Sequence, residues 1–420
     1  MTTNHLINHL RKLGFNGDLT EIEKMYAGKP FNRQDPEYQN LLKYSNQLCS
    51  EYSELNSIPY RSASPSVQKM IDRKRNDILD KLFPGHGLII GVGDNISAVV
   101  GMVNLKGITY INHNVTFSPD TLVESGDFCL FAPNVCIGNR VENSQAAGRV
   151  TIGDDVWICA DVSVGNNTII SSQSVIGLGS KVLNDTTIDS NSLYVGVPAQ
   201  KVLNLTPDYQ TQTGQKQRSQ EEIDYLINHL KMLGFDGDFT EYIKMLNGEK
   251  YNSIQSVISQ ISDFTHNLCA EYNNSKTPIE RKKEIVNILF PYKGKNCKFG
   301  DKLFVDVIGS VSLGDNVIIG DGVSLAGNVR LGNNVVVGDG STLFATGHEV
   351  AAQGRRLGKT STGELEEINT TGYIEVEDGV KIGNNVKIVP NVRINSNIPS
   401  NNIYTKHGSL ISIKDENIMQ

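Results

Sequence analysis

The sequence predicts a mainly β protein of two parallel β-helices built from six-residue repeats, each preceded by a small helical cap. Three observations carry this. First, Leu313 to His348 divides into six consecutive hexads, LGDNVI, IGDGVS, LAGNVR, LGNNVV, VGDGST and LFATGH, each opened by an aliphatic residue. The fifth position is Val four times, then Ser341 and Gly347. A period of six is too short for a helical solenoid. It fits one short strand plus a turn, with the opening and fifth residues stacking inward on neighbouring coils. Gly-Asn and Gly-Asp pairs fall at the corners, where small or αL-tolerant residues are needed. Second, a run of six hexads begins at Ile152, namely IGDDVW, ICADVS, VGNNTI, ISSQSV, IGLGSK and VLNDTT. Third, residues 6–49 repeat as 226–269, so that LINHLRKLGFNGDLTEIEKM recurs as LINHLKMLGFDGDFTEYIKM. The chain is one unit written twice.

Its elements follow in order. Residues 1–86 form a helical cap, because LINHLRKL and YQNLLKYSNQLCSEY place apolar residues at helical spacing. The first copy carries extra residues near Ser53–Ser66, a Pro/Ser-rich loop. Residues 87–205 are the first β-helix, and the polar stretch 206–220 reads as a linker. Residues 221–292 are the second cap, and 293–420 the second β-helix. That β-helix is interrupted by a loop at 349–373, and its last residues, ISIKDENIMQ, read as a frayed tail.

Composition excludes several classes. A formal net charge of -7 gives no electrostatic case for nucleic acid. No apolar run approaches the roughly 18 residues needed to span a bilayer. The start, MTTNHLINHLRKLGF, has no apolar core of a secretion signal, so a cytoplasmic protein is expected. The six cysteines show neither metal nor disulfide spacing and are read as reduced thiols, Cys49 and Cys269 being equivalent positions on helix faces. Eight scattered histidines do not make a zinc site, so no metal is expected.

The order of cap, hexads, a Thr-Gly-His loop and further hexads resembles the maltose/galactoside O-acetyltransferases, a branch of the hexapeptide-repeat acyltransferases. The residues that carry the resemblance are EKMYAGKPFNRQDPEY in the first cap, GDFCLFAPNVCI, VTIGDDVWI, VIGLGSKVLND and GVPAQKV in the first β-helix, and LGNNVVVGDGSTLFATGHEV in the second. It implies left-handed β-helices, a homotrimer with clefts between neighbouring β-helices, acetyl-CoA as co-substrate, and a saccharide or polysaccharide acceptor.

Acetyl transfer from a thioester to a hydroxyl needs a base, and neutral imidazole suits that task. His348, at the end of Thr346-Gly347-His348, matches the family's base; the alternative is a polar corner residue. Thr346, Gly347, Arg355, Arg356 and Asp35 are the candidate acceptor-side residues. Glu349 follows the histidine, but on an extended chain it points to the opposite side.

The copies diverge at this point. The first has GNRVENSQAAGRV after CLFAPNVCI, with no histidine and no long loop. His113 lies about two coils too early and reads as a solvent-facing corner. The first copy keeps groove-like positions for coenzyme A instead. These are Trp157, the backbone of Gly177, Gly179 and Ser180, and Lys201 for a phosphate, although Leu183-Asn184 departs from the family's Thr-Lys. The second copy has Lys381 in place of Trp157, and Gly320 where the family has an acceptor-side Asn (Ser118 in the first copy). It also ends after only four more hexads. Lys381 and Lys387 could meet coenzyme A phosphates, or be solvated face residues. The expected function is an acetyl-CoA-dependent O-acetyltransferase. The alternatives are an antibiotic or amine acetyltransferase on the same fold, and a non-catalytic duplicated scaffold.

Overall fold

The computed structural model describes residues 2–56, 64–138, 146–205, 218–254, 256–349, 358–359, 365–405 and 408–413. The chain divides into two compact units, Met1–Thr206 and Pro207–Ile413. The first is taken by itself, then the second.

In the first unit the chain visits three parallel sheets in turn, once per coil. One sheet runs through Thr109–Ile111, Cys129–Phe131, Trp157–Ile158 and Val175–Ile176; another through Cys136–Ile137 and Ser163–Val164; the third through Thr121–Ser125, Gly148–Ile152 and Thr168–Ile170. The openers Ile152, Ile158, Val164, Ile170, Ile176 and Val182 are all buried. The ladder then ends where Gln200–Asn204 turns back antiparallel on Ser192–Val195. At the cap end, Phe83, Phe117 and Phe131 stack edge to face, 6.5 and 5.5 Å apart.

The second unit repeats the plan. Leu313, Ile319, Leu325, Leu331, Val337 and Leu343 are buried, and so are the fifth-position Val317, Val323, Val329, Val335 and Ser341. The corners take the left-handed conformation at Asn316 and Asn334, φ +59° and +57°. Their side chains stack as a ladder, Asn316 Nδ2 donating to Asn334 Oδ1 at 3.0 Å. The second β-helix is the shorter one. The sheet starting at Val311–Leu313 has four strands, whereas its counterpart starting at Val103–Leu105 has five.

Each cap docks on its own β-helix through the same bonds. Tyr26 Oη donates to Val100 O at 2.7 Å and Tyr242 Oη to Ile308 O at 2.9 Å. Val100 N donates to Ser45 Oγ and Ile308 N to Thr265 Oγ1, both at 3.1 Å. Cys49 and Cys269 are buried beside these contacts, and burial pushes the Cys269 thiol up to about 12. All six cysteines are free.

Four expectations change. The Pro/Ser-rich loop is shorter than Ser53–Ser66, because one helix runs on to Asn56 and the next starts at Pro65, capped by Ser64. The expected linker 206–220 gives up its end to the second unit. Ser219 forms a capping box with Glu222, and Arg218, only 4% exposed, donates to Ser310 O at 2.9 Å. In the tail, Leu410–Ser412 is a strand paired antiparallel with Asn402–Tyr404. His113 is a half-buried corner residue whose Nδ1 accepts from Asp94 N at 3.0 Å.

Candidate functional site

Both ends of the second unit's inserted loop are strands. Thr346–His348 pairs antiparallel with Ile368–Thr371, and this pairs antiparallel with Tyr251–Asn252 from the second cap. The result is a three-stranded sheet standing beside the β-helix. Its rungs place Thr346 opposite Thr371, Gly347 opposite Thr370 and His348 opposite Asn369; Asn369 is in turn opposite Tyr251.

Side chains lace the sheet together. Tyr251 Oη lies 3.0 Å from Thr346 Oγ1, Thr346 Oγ1 donates to Thr370 O at 3.2 Å, and Thr370 Oγ1 donates to Gly347 O at 3.3 Å. Tyr251 is 3% exposed, and burial holds its phenol above the usual range, so it stays a neutral donor. Thr346 and His348 are two apart on a strand and share a face, while Glu349 takes the other. There Glu349 is buried and ion-paired with Lys250. Asn252 and Ser253 complete the attachment. Asn252 Oδ1 accepts from Glu367 N at 3.0 Å, and Ser253 Oγ donates to Glu367 Oε2 at 2.6 Å. His348 is half-buried. A half-buried imidazole on a strand pinned from the cap can receive a proton from a bound hydroxyl. Arg355 and Arg356 lie outside the described residues.

In the first unit the same place is built differently. Among the described residues the cap meets the corresponding segment through the isolated bridge Pro30–Ala146. Asp120, 3% exposed, accepts from Arg33 Nε and from Tyr38 Oη, both at 3.1 Å. Beside them lies a cleft of about 420 Å³ lined by Arg33, Asp120, Gly148 and Asn166. Replacing Asp120 with alanine leaves Arg33 without this partner. It is expected to destabilise the first unit by about 1–3 kcal/mol, read as a lower urea midpoint for that unit alone.

The remaining candidates fall as follows. Asp35 caps the helix Pro36–Asn56, its Oδ1 accepting from the N–H groups of Glu37 and Tyr38 at 3.0 Å each. Trp157 and Lys381 hold equivalent places, each on the strand that follows the loop-terminating one, Gly148–Ile152 and Tyr373–Val376. Trp157 is half-buried and Lys381 exposed. The amide donors expected to approach a pantetheine arm are already used. Gly177 N donates to Tyr194 O, Gly179 N to Ala160 O and Ser180 N to Gly177 O. Ser180 is fully buried, its hydroxyl accepting from Gly196 N at 3.0 Å. Lys201 Nζ is 2.9 Å from Asp189 Oδ2 and draws that carboxyl below the usual range. Lys387 is no solvated face residue. It is 6% exposed, with Nζ donating to Gly340 O at 2.9 Å and Thr342 Oγ1 at 3.2 Å.

Residues 310–345, ending one residue before Thr346-Gly347-His348, match the family model described as bacterial transferase hexapeptide (six repeats). This stretch is similar to the hexapeptide-repeat transferases. A provisionally assigned acetyltransferase of Saccharomyces cerevisiae is 26% identical over 196 residues, 46% of this chain and 96% of that protein. A nearly full-length relative therefore occupies less than half of the chain, as a duplicated hexapeptide-repeat unit requires. The galactoside O-acetyltransferase of Escherichia coli is 34% identical over 102 residues, 22% of this chain, and the chain spans about half (49%) of that relative's length. Among solved structures, a maltose O-acetyltransferase from Clostridium difficile 630 covers 45% of this chain and 100% of its own, at 27% identity and a TM-score of 0.37.

The residues missed in the hexapeptide-repeat sequence are those of the cap strand. Tyr251, Lys250 and Asn252 carry no motif. The one available signal was Tyr251 standing where the first copy has Phe31. Among the described residues, no cluster of three or more His, Cys, Asp or Glu could hold a metal ion, and no helix is long and apolar enough to cross a membrane.

Proposed function

We propose that this chain is an acetyl-CoA-dependent O-acetyltransferase acting on a saccharide hydroxyl, with His348 of the second unit as general base. The observation that carries the reading is the placement of Thr346-Gly347-His348 at the end of the matched hexads, on a strand held by its own cap. Galactoside and maltose O-acetyltransferases among the relatives support the acceptor class. In the proposed reaction the neutral imidazole takes the acceptor hydroxyl proton as its oxygen attacks the thioester carbonyl. The new C–O bond forms, the C–S bond breaks, and the imidazolium returns the proton to the departing sulfur. The test is release of free coenzyme A from acetyl-CoA across maltose, galactosides and aminoglycosides, wild type against His348→Ala. Release with aminoglycosides alone would move the acceptor to the amine class. No release with any acceptor would favour the scaffold reading.

The first unit is proposed as structural, since its short connection carries no histidine. The chain is proposed to assemble as a cytoplasmic homotrimer, because neighbouring β-helices around a threefold axis would create the clefts in which acetyl-CoA lies. Light scattering is expected to give three chains per particle, and a stable monomer at micromolar concentration would rule this out.

A further inference from the structure

We infer that Asn369 is the positioning residue that orients the His348 imidazole. The inference rests on the reading of His348 as base and names the group that sets its tautomer. Asn369 stands directly opposite His348 on one side and Tyr251 on the other. Residues directly opposite in an antiparallel pair share a face, with Cβ atoms about 4.5–5.5 Å apart. A carboxamide and an imidazole reach each other across that gap.

Two further observations point the same way. Asn369 Oδ1 is buried and has no hydrogen-bond partner. A buried amide oxygen without a donor is costly, so an N–H aimed at it is strongly favoured. The other end of the carboxamide is occupied, because Asn369 hydrogen-bonds the Tyr251 side chain. Thr346 gives its own proton to Thr370 O, so the Tyr251 hydroxyl donates to Thr346 Oγ1 and accepts from Asn369 Nδ2. This leaves Oδ1 on the His348 side.

The chemistry follows from the inventory of a neutral imidazole, which has one N–H and one lone pair. With Nδ1–H donated to Asn369 Oδ1, the lone pair sits on Nε2, the atom that would take the proton of the acceptor hydroxyl. The Tyr251 hydroxyl fixes the carboxamide so that it cannot flip.

The titratable groups on or beside the three-stranded sheet include Lys250, Tyr251, Glu349 and Glu367, and Asp306 acts on Tyr251. Lys250 and Glu349 pair with each other, Ser253 donates to Glu367, and Asp306 faces His266 at 3.3 Å. None of them occupies the rung opposite His348.

The experiment uses the full chain with Asn369→Asp and Asn369→Leu. Two quantities are read: the NMR titration of the His348 ring, assigned by difference with His348→Gln, and the pH profile of coenzyme A release with maltose or a galactoside. Asn369→Asp is nearly isosteric and puts a carboxylate on Nδ1. The His348 titration midpoint and the acid limb of the profile should both rise by about 1 pH unit. Asn369→Leu should lower kcat about 10–100-fold while the KM for acetyl-CoA stays put, since the ring is misdirected but the thioester site is untouched. An unmoved His348 midpoint in Asn369→Asp overturns the inference whether or not the chain turns over sugar. A raised midpoint in a protein that transfers no acetyl group upholds the Asn369 contact and removes the base assignment instead.

Discussion

His348→Ala is expected to lower kcat for acetyl transfer by about 10²–10⁴-fold with almost no change in melting temperature. The size follows from the proposed role, since loss of a positioned base leaves only binding and orientation. The thermal indifference follows from the fold. His348 is half-buried on a strand whose backbone pairing with Asn369 does not need the imidazole, and the space the ring leaves would admit water to Asn369 Oδ1 in place of the lost donor. The bonds that pin the strand are made by Thr346, Glu349 and Thr370. Steady-state coenzyme A release and a calorimetric scan on the same preparations check both halves. Retained turnover would move the chemistry away from this strand. A large fall in melting temperature would make His348 a packing residue.

Cutting the chain between its units is expected to separate activity completely. A fragment of residues 218–420 should trimerise and transfer acetyl groups, while residues 1–205 should trimerise and transfer none. Each unit has its own cap, and in the second an uninterrupted buried cluster runs from Leu226 in the cap to Ile398 in the last coil. The starting residue matters. Beginning at 221 would delete Ser219, whose capping box opens the first helix of the second cap, and the buried Arg218. Loss of the cap alone costs about 1 kcal/mol. The 221 fragment should therefore melt lower than the 218 fragment at equal specific activity. An inactive but well-folded trimer of 218–420 would defeat the separated-unit reading. So would loss of turnover in Trp157→Ala of the full, assembled chain, because a residue of the first unit would then serve the site.

The repeat was legible because each hexad is a local rule. An aliphatic opener must point inward when the coil is six residues per side, so Leu313, Ile319 and Leu325 could be assigned to the core without knowing what they touch. The corners are local too, since Asn316 and Asn334 tolerate the left-handed backbone that a tight turn imposes. The duplication, the two caps and the position of His348 at the end of the hexads follow from the same one-dimensional pattern.

Other features depend on residues far apart in the chain. Tyr251 meets Thr346 across 95 positions and Asn252 meets Glu367 across 115, and no spacing rule connects them. Lys387 looks like a solvated face residue by type, yet it is buried because its ammonium finds Gly340 O and Thr342 Oγ1 on the coil below. Gly177, Gly179 and Ser180 looked available to a ligand because glycine permits close approach. Whether their N–H groups were free depended on the folded coils: neighbouring coils use those of Gly177 and Gly179, and Gly177 O takes that of Ser180. The sequence by itself thus determined the fold, its duplication and which half ends its hexads on a Thr-Gly-His histidine, since short-range periodicity and backbone tolerance encode these. Tertiary structure alone decided what surrounds that histidine, because a cross-strand partner is chosen by how a cap and a loop meet in space.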